Sequence, residues 1–211
     1  MFQPAIFHED RADVMHALMR DHPFATLVTR ADGRVAADHL PLVLHEGSGG
    51  AVLRGHVARG NPIAGSAALD DEALAIFQGP QGYVSPSWYA SKREHGRVVP
   101  TWNYVVVQAR GPLRLVRNGG WLLQHLRDLT SEQESHRPLP WAVEDAPRDF
   151  VARMLRGIVG VEIAVETLEG TWKVSQNKSD ADRAGVADGL GGDAAMPELA
   201  RLVTERGAPS S

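Results

Sequence analysis

The pair Asp32-Gly33, set between "FATLVT" and "RVAADHLPLVLH", constrains the fold more than any other feature of the chain. Asp-Gly supplies the positive φ of a tight turn, so the β-prone runs on either side are expected to pair antiparallel. The same grammar continues downstream. Glycines in "EGSGG" make the next turn before "AVLRGH", and "NPIAGSAALDD" reads as a short helix or loop leading into the strand "EALAIFQG". "VVPTWNYVVVQARG" is rich in β-branched and aromatic residues, and Gly111-Pro112 is expected to bulge or bend it before "LRLV". Two more β segments, "IVGVEIAVETLEG" and "TWKVSQN", close the series.

Helical patterns interrupt this meander. Residues 8 to 21 place Glu9 and Asp10 at the positive end of a helix dipole, with Val14, Met15 and Leu18 at helical spacing, and His22-Pro23 stops the run. Residues 119 to 134 put Trp121, Leu122, His125, Leu126 and Leu129 on one face, and "RDFVARMLRG" repeats the pattern in short form. Ser179 is placed to cap a polar helix "DADRAGVADGL", and "MPELARLVTERG" reads as a last helix before a frayed "APSS". The expected class is therefore mainly β with helical insertions (α+β). Six or seven antiparallel strands form a small barrel, or a sheet covered on one face. The absence of alternating βαβα, and of G-x-G-x-x-G after a strand, argues against a parallel doubly wound fold.

The chain's 211 residues suit one main domain, or one domain with an appended piece. No apolar run approaches the roughly 20 residues of a membrane span, and the start lacks a basic n-region and apolar h-region, so a cytoplasmic location without membrane contact is expected. Zero cysteines exclude disulfides, thiolate nucleophiles and thiolate metal ligands. The nine histidines show no H-x-H or H-E-x-x-H spacing, so no metal site is expected. "YVSPSWY" is not G-x-S-x-G, which leaves Ser85 and Ser87 as loop hydrogen bonders. The acid clusters Asp70-Asp71-Glu72 and Glu144-Asp145 read as solvated faces. A net charge of −4 gives no general attraction to phosphate backbones, so a nucleic-acid partner requires a local basic patch.

Four stretches carry candidate chemistry. In "ADHLPLVL", Pro41 cannot donate to a sheet ladder, so the run is an edge or bulge with backbone groups free for a ligand, or an edge strand with a half-buried His39. In "LRGHVARGNP" a strand ends at Gly55, and His56, Arg59, Gly60 and Asn61 gather where a helix is expected to begin at Pro62. That arrangement suits a phosphate, or a solvated turn. "GTWKVSQNKSDADR" is dense in donors. Strand alternation would send Lys173, Ser175 and Asn177 to one face, with Gln176 and Lys178 nearer the other. The fourth stretch, residues 83 to 104, holds all three tyrosines and two of the five tryptophans beside Lys92, Arg93, His95 and Arg97.

Together "GYVSPSWY", "VPTWNY", "DHLPLVL", "GHVARGNP" and "KVSQNKSDADRAGV" resemble the PaiB-type family of FMN-binding negative transcriptional regulators, in the family's order and across about residues 1 to 190. The resemblance implies an FMN-binding split-barrel domain over residues 1 to 190, with a helical insertion at about 119 to 156. Residues 191 to 211 would form a C-terminal helix and flexible tail. It also implies kinship in fold with pyridoxamine phosphate oxidases and flavin reductases, and a homodimer with flavin at the subunit interface. On that footing His56, Arg59 and Asn61 suit the phosphate, with Gly55 at the strand end and Lys173, Gln176 or Lys178 adding donors. His39, Leu40 and Pro41 would line the ring through backbone contacts, while Trp102, Asn103 or Tyr104 would wall it. Tyr83, Ser85, Trp88, Tyr89 and Lys92 become substrate or lid contacts. Three functions remain open at this stage. They are a negative transcriptional regulator that reaches DNA through "SKREHGR", an FMN-dependent oxidoreductase, and a haem-handling split barrel using His39, His56 or His95.

Overall fold

A computed structural model describes residues 3–31, 33–65 and 72–206 of the chain. The hairpin expected at Ala31-Asp32-Gly33 is present: residues 24–31 and 34–41 pair antiparallel, and Gly33 takes the φ of +76° that the turn needs. Asp32 itself, residues 66–71 of "NPIAGSAALDD" with Asp70 and Asp71, and the "APSS" tail lie outside the described residues.

In chain order the elements are β1 (His8–Glu9), α1 (Ala12–Asp21), β2 (Phe24–Ala31), β3 (Arg34–Pro41), β4 (Val43–Gly47), β5 (Gly50–Ala58), α2 (Pro62–Gly65), β6 (Glu72–Val84) and α3 (Ser91–Glu94). There follow β7 (Thr101–Val116), α4 (Gly119–Glu134), α5 (Arg148–Leu155), β8 (Ile158–Ala164), β9 (Thr167–Lys173), α6 (Asp180–Gly191) and α7 (Pro197–Glu205). Every strand pairing with a resolved register is antiparallel. The residues fall into two compact units. The first comprises residues up to Leu18, Gln78–Val107 and those from Glu169 onward; the second comprises Met19–Phe77 and Gln108–Leu168.

The second unit holds the β2–β3 hairpin, with β2 also paired to the start of β6, and the run β4–β5–β8, with β8 also paired to the end of β7. Alternation in β5 buries Leu53, Gly55 and Val57 and turns Arg54 and His56 to the opposite side. On that side Glu162 of β8, 8% exposed, lies between the guanidinium groups of Arg54 (2.8 Å) and Arg114 (2.6 Å). The α4 helix covers this polar cluster. Asn118 caps it by accepting from the Trp121 N–H (2.9 Å), and Trp121 and His125 stack over the strands with Leu122 buried beside them. β7 continues through Gly111-Pro112 as one strand, where a bend was expected. A Cβ at residue 111 would fall 1.8 Å from the carbonyl of Ala164, so glycine is required there by close backbone approach.

In the first unit β1 pairs with β9, His8 opposite Thr171 and Glu9 opposite Gly170. Glu9, expected in the first turn of a helix, is instead a buried strand residue, and the helix begins at Ala12. Its carboxylate accepts from the Arg11 side chain (2.9 and 2.8 Å) and from Arg206, a side-chain demand that the helix dipole alone does not meet. Helices α6 and α7 pack their Val186, Leu190, Leu199 and Val203 inward. Among the described residues no helix is long and apolar enough to cross a membrane.

Candidate functional site

Two of the motif stretches meet in the second unit. Asn61 donates through Nδ2 to Asp38 Oδ1 (2.6 Å), tying the turn after β5 to β3 beside His39, and its Oδ1 accepts from the Ile63 N–H (2.9 Å), which caps α2. Gly55 brings β5 against the same segment: a Cβ there would lie 2.7 Å from the Leu42 side chain and 3.0 Å from both Leu40 and the Pro41 carbonyl. A larger residue would therefore prise "DHLPL" away from "GHVARGNP". Leu40 is buried, Pro41 half-buried, and His39 exposed near Phe24 with ring centroids 6.3 Å apart.

The three residues expected at a phosphate do not act alike. Arg59 is exposed; its Nε donates to the Arg156 carbonyl (2.7 Å), which leaves the terminal guanidinium nitrogens without a partner among the described residues. Asn61 is engaged at both ends of its amide, so its role is to hold the turn. His56 points elsewhere: its Nδ1 lies 3.0 Å from Nε2 of His125, and burial lowers its pKa. Sequence reading missed three participants here. Asp38 sits one residue before the motif histidine, Arg117 donates to the Ala64 carbonyl of α2, and His125 faces His56 across 69 residues of sequence. Only Asp38 had a local signal, its adjacency to His39.

In the first unit the donor-rich stretch closes a cleft of about 220 Å³ lined by Thr101, Asn103, Lys173, Ser175, Asn177 and Lys178, with Val99 and Pro100 at its edge. The alternation expected of a continuing strand fails at Ser175, whose φ of +68° turns the chain so that Lys178 joins Lys173 on one side. The Lys178 N–H then bonds the Ser175 carbonyl (3.0 Å). Lys173 donates to Thr101 Oγ1 (2.7 Å) and to the Trp102 carbonyl, while burial and then the nearby Lys178 charge lower its pKa. Asn103 and Ser175 are both buried and bond each other (2.9 Å). Gln176 lies outside this set, bonded to the backbone at Val174 and Trp172.

The aromatic stretch of the first unit divides by burial. Tyr89 is 2% exposed, with Lys178 over its ring at 4.9 Å. Trp88 donates to Asp193 (3.1 Å) and lies on Gly189, where a Cβ would fall 2.2 Å from its indole. Ser91 donates through N–H and O–H to Asp182 (2.9 Å each), Ser85 caps the Pro86–Trp88 turn, and Lys92 donates to Ser87 (3.2 Å). The segment expected as a lid is thus strapped to α6 at Gly189 and Asp182, and to Asp193 just beyond that helix. Gly189→Ala is expected to expel the Trp88 ring and shift tryptophan emission to longer wavelength; an unchanged spectrum would contradict this packing. Tyr83 and Trp102, by contrast, are about half exposed and pack edge to face, centroids 6.2 Å apart.

Residues 1–167 match the family model described as "Putative FMN-binding domain". The chain is 34% identical to an uncharacterized protein of Emericella nidulans, covering 98% of each. It is 32% identical to the "Protease synthase and sporulation protein PAI 2" of Bacillus subtilis, covering 90% of this chain and 89% of that one. Among solved structures, the conserved hypothetical protein Rv2991 of Mycobacterium tuberculosis superposes with a TM-score of 0.58 at 13% identity, over 85% of this chain and 94% of the other. That likeness bears on the fold, which is of the antiparallel split-barrel type the motifs imply. With four-fifths of its length under the family model and a Bacillus relative of nearly equal span, the chain belongs to the PaiB-type family of FMN-binding domains.

Proposed function

We propose that the chain holds FMN in its second unit, where the β3 edge meets the turn after β5, and that the bound flavin serves an oxidoreductase reaction on a small molecule. The observation that carries this reading is the junction of two motif stretches by the Asn61–Asp38 bond and the Gly55 contact, with a free guanidinium face on Arg59 at its rim. The donor set fits the cofactor: an exposed Arg suits a phosphate dianion, and the backbone of His39–Pro41 at the end of a strand offers hydrogen-bonding groups to a ring edge. FMN, when bound, supplies the electron chemistry, and the protein supplies binding and orientation. Asn61 keeps the turn in place, and Arg59 supplies the charge.

Arg59→Ala is expected to weaken FMN binding about tenfold, the loss of one charge-assisted contact, whereas Arg97→Ala leaves it unchanged. Fluorescence quenching of FMN titrated with each variant reads both, and equal affinities would reject the phosphate assignment. A regulator's reading rests on a separate observation: Lys92, Arg93, His95 and Arg97 are all exposed in one short run. An electrophoretic shift on the upstream DNA that weakens with salt would support it, and no shift at micromolar protein would leave the oxidoreductase ahead. The exposed Tyr83–Trp102 pair suits burial against a second copy, which sedimentation velocity of the wild type and Trp102→Ala would test.

A further inference from the structure

The cleft at the end of β9 belongs to the first unit alone, and its chemistry differs from that of the Arg59 turn. Two lysines, Lys173 and Lys178, line a space of about 220 Å³ together with the hydroxyl and amide residues Thr101, Ser175, Asn103 and Asn177, with Val99 and Pro100 at its edge. That is below the roughly 300–1,000 Å³ of sites that enclose a drug-sized ligand, so the cleft suits a compact charged group rather than a ring system. Among the described residues no carboxylate lines it. Asp182, the acid that feels the Lys178 charge, has Oδ1 and Oδ2 bonded by the Ser91 N–H and O–H.

Its walls are also fixed in advance. The Ser175 backbone is held at positive φ by the 175–178 turn, Gln176 braces that turn through Val174 and Trp172, and the buried Asn103–Ser175 bond ties it to β7. A non-glycine residue in the left-handed region is uncommon and persists where surrounding bonds over-determine it. Two like charges brought together repel each other unless an anion sits between them, and here the backbone device at Ser175 is what brings Lys178 to Lys173. We propose that this cleft is a phosphate-binding site, receiving the phosphate group of a small ligand between Lys173 and Lys178.

The test uses the full-length protein in phosphate-free buffer at low salt, titrated with inorganic phosphate by calorimetry. Saturable binding at one site per chain is expected, weakened about tenfold or more in Lys178→Gln and restored in Lys178→Arg. Lys178→Gln is the primary variant because Lys173 also bridges Thr101 and Trp102, so its removal can disturb the fold. An unchanged near-ultraviolet circular dichroism spectrum confirms that Lys178→Gln is folded. No saturable binding, or equal affinity in wild type and Lys178→Gln, would overturn the proposal. A second arm identifies the source of the phosphate. Binding that survives saturation with FMN assigns the cleft to a second, phosphorylated ligand. Displacement of phosphate by FMN but not by riboflavin keeps the phosphate site and instead overturns the placement of the flavin phosphate at Arg59. In Arg59→Ala, phosphate binding at the cleft is expected to be intact.

Discussion

Glu9→Gln is expected to destabilise the protein by about 3 kcal/mol at neutral pH, the cost of stranding a cation by removing one partner of a buried ion pair. Glu9 is 2% exposed and accepts three hydrogen bonds from Arg11, through its backbone N–H (3.0 Å), Nε (2.9 Å) and a terminal nitrogen (2.8 Å), and another from Arg206. Arg11 is largely exposed and can return to water, but Arg206 is only 18% exposed and lies over the Trp172 ring at 4.7 Å. Gln keeps the volume and loses the charge, so Arg206 is left uncompensated. Burial alone would raise the Glu9 pKa; hydrogen bonds from Arg11 and Arg206 outweigh it and hold the carboxyl down at about 2, against an ordinary value of 4.5. Its contribution is therefore fully present above pH 4.5 and is lost as pH falls through 2. Urea unfolding at pH 7 and pH 3 reads both effects. The wild type should lose stability over that interval more steeply than Glu9→Gln, and parallel losses would show that folding does not lower the carboxyl's pKa.

The parts of the fold legible in sequence were those written in local chemistry. Asp32-Gly33 names its own hairpin, and Ser179 names the start of α6, accepting from the Asp182 N–H at 3.2 Å. The 119–134 periodicity gives α4 to the residue, because its apolar face and its Asn118 cap both lie within the window. What sequence hid was long-range or conformational. β6 runs through Gly79-Pro80-Gln81-Gly82 to Val84, a stretch with every local mark of a turn, and a Cβ at Gly79 would fall 2.6 Å from Leu18. The acid at residue 9 looked like a helix-dipole partner because Arg206 lies 197 residues away in sequence. At the site, proximity in sequence gathered His56, Arg59 and Asn61 into one group, while strand alternation and the opposing α4 separate His56 from the other two. Strand alternation sends Lys178 away from Lys173, and the structure differs because β9 ends at Lys173 and the chain turns at Ser175. Nothing in "KVSQNK" announces that a serine takes the left-handed turn.

His125→Leu is expected to flatten the protein's response to mild acid. His125 is 1% exposed, stacked on Trp121 with 24° between ring planes, and its Nε2 meets His56 Nδ1 at 3.0 Å, while its Nδ1 is buried without a partner among the described residues. One imidazole must donate and the other accept, so the pair fails once both are protonated. Burial, then the His56 charge, push the His125 pKa down to about 4 from 6.5; His45 and Arg54 act the same way, and Asp128 opposes them. Between those values the unfolded chain binds a proton that the folded chain refuses. Stability is therefore full above pH 6.5, falls as pH drops toward 4, and levels off below it, a loss of about 3 kcal/mol at 1.36 kcal/mol per unit. Leucine removes that titration and leaves His56 Nδ1 without its partner, so the variant should be less stable than wild type at pH 7.5 by about 1 kcal/mol. At pH 4.5 the order should narrow or reverse. Denaturant unfolding of both proteins at the two pH values decides the point. If wild type and variant lose the same stability between pH 7.5 and 4.5, His125 takes up its proton in the folded state. The imidazole pair would then be a charged hydrogen bond rather than the neutral plug that holds α4 over Arg54 and Glu162.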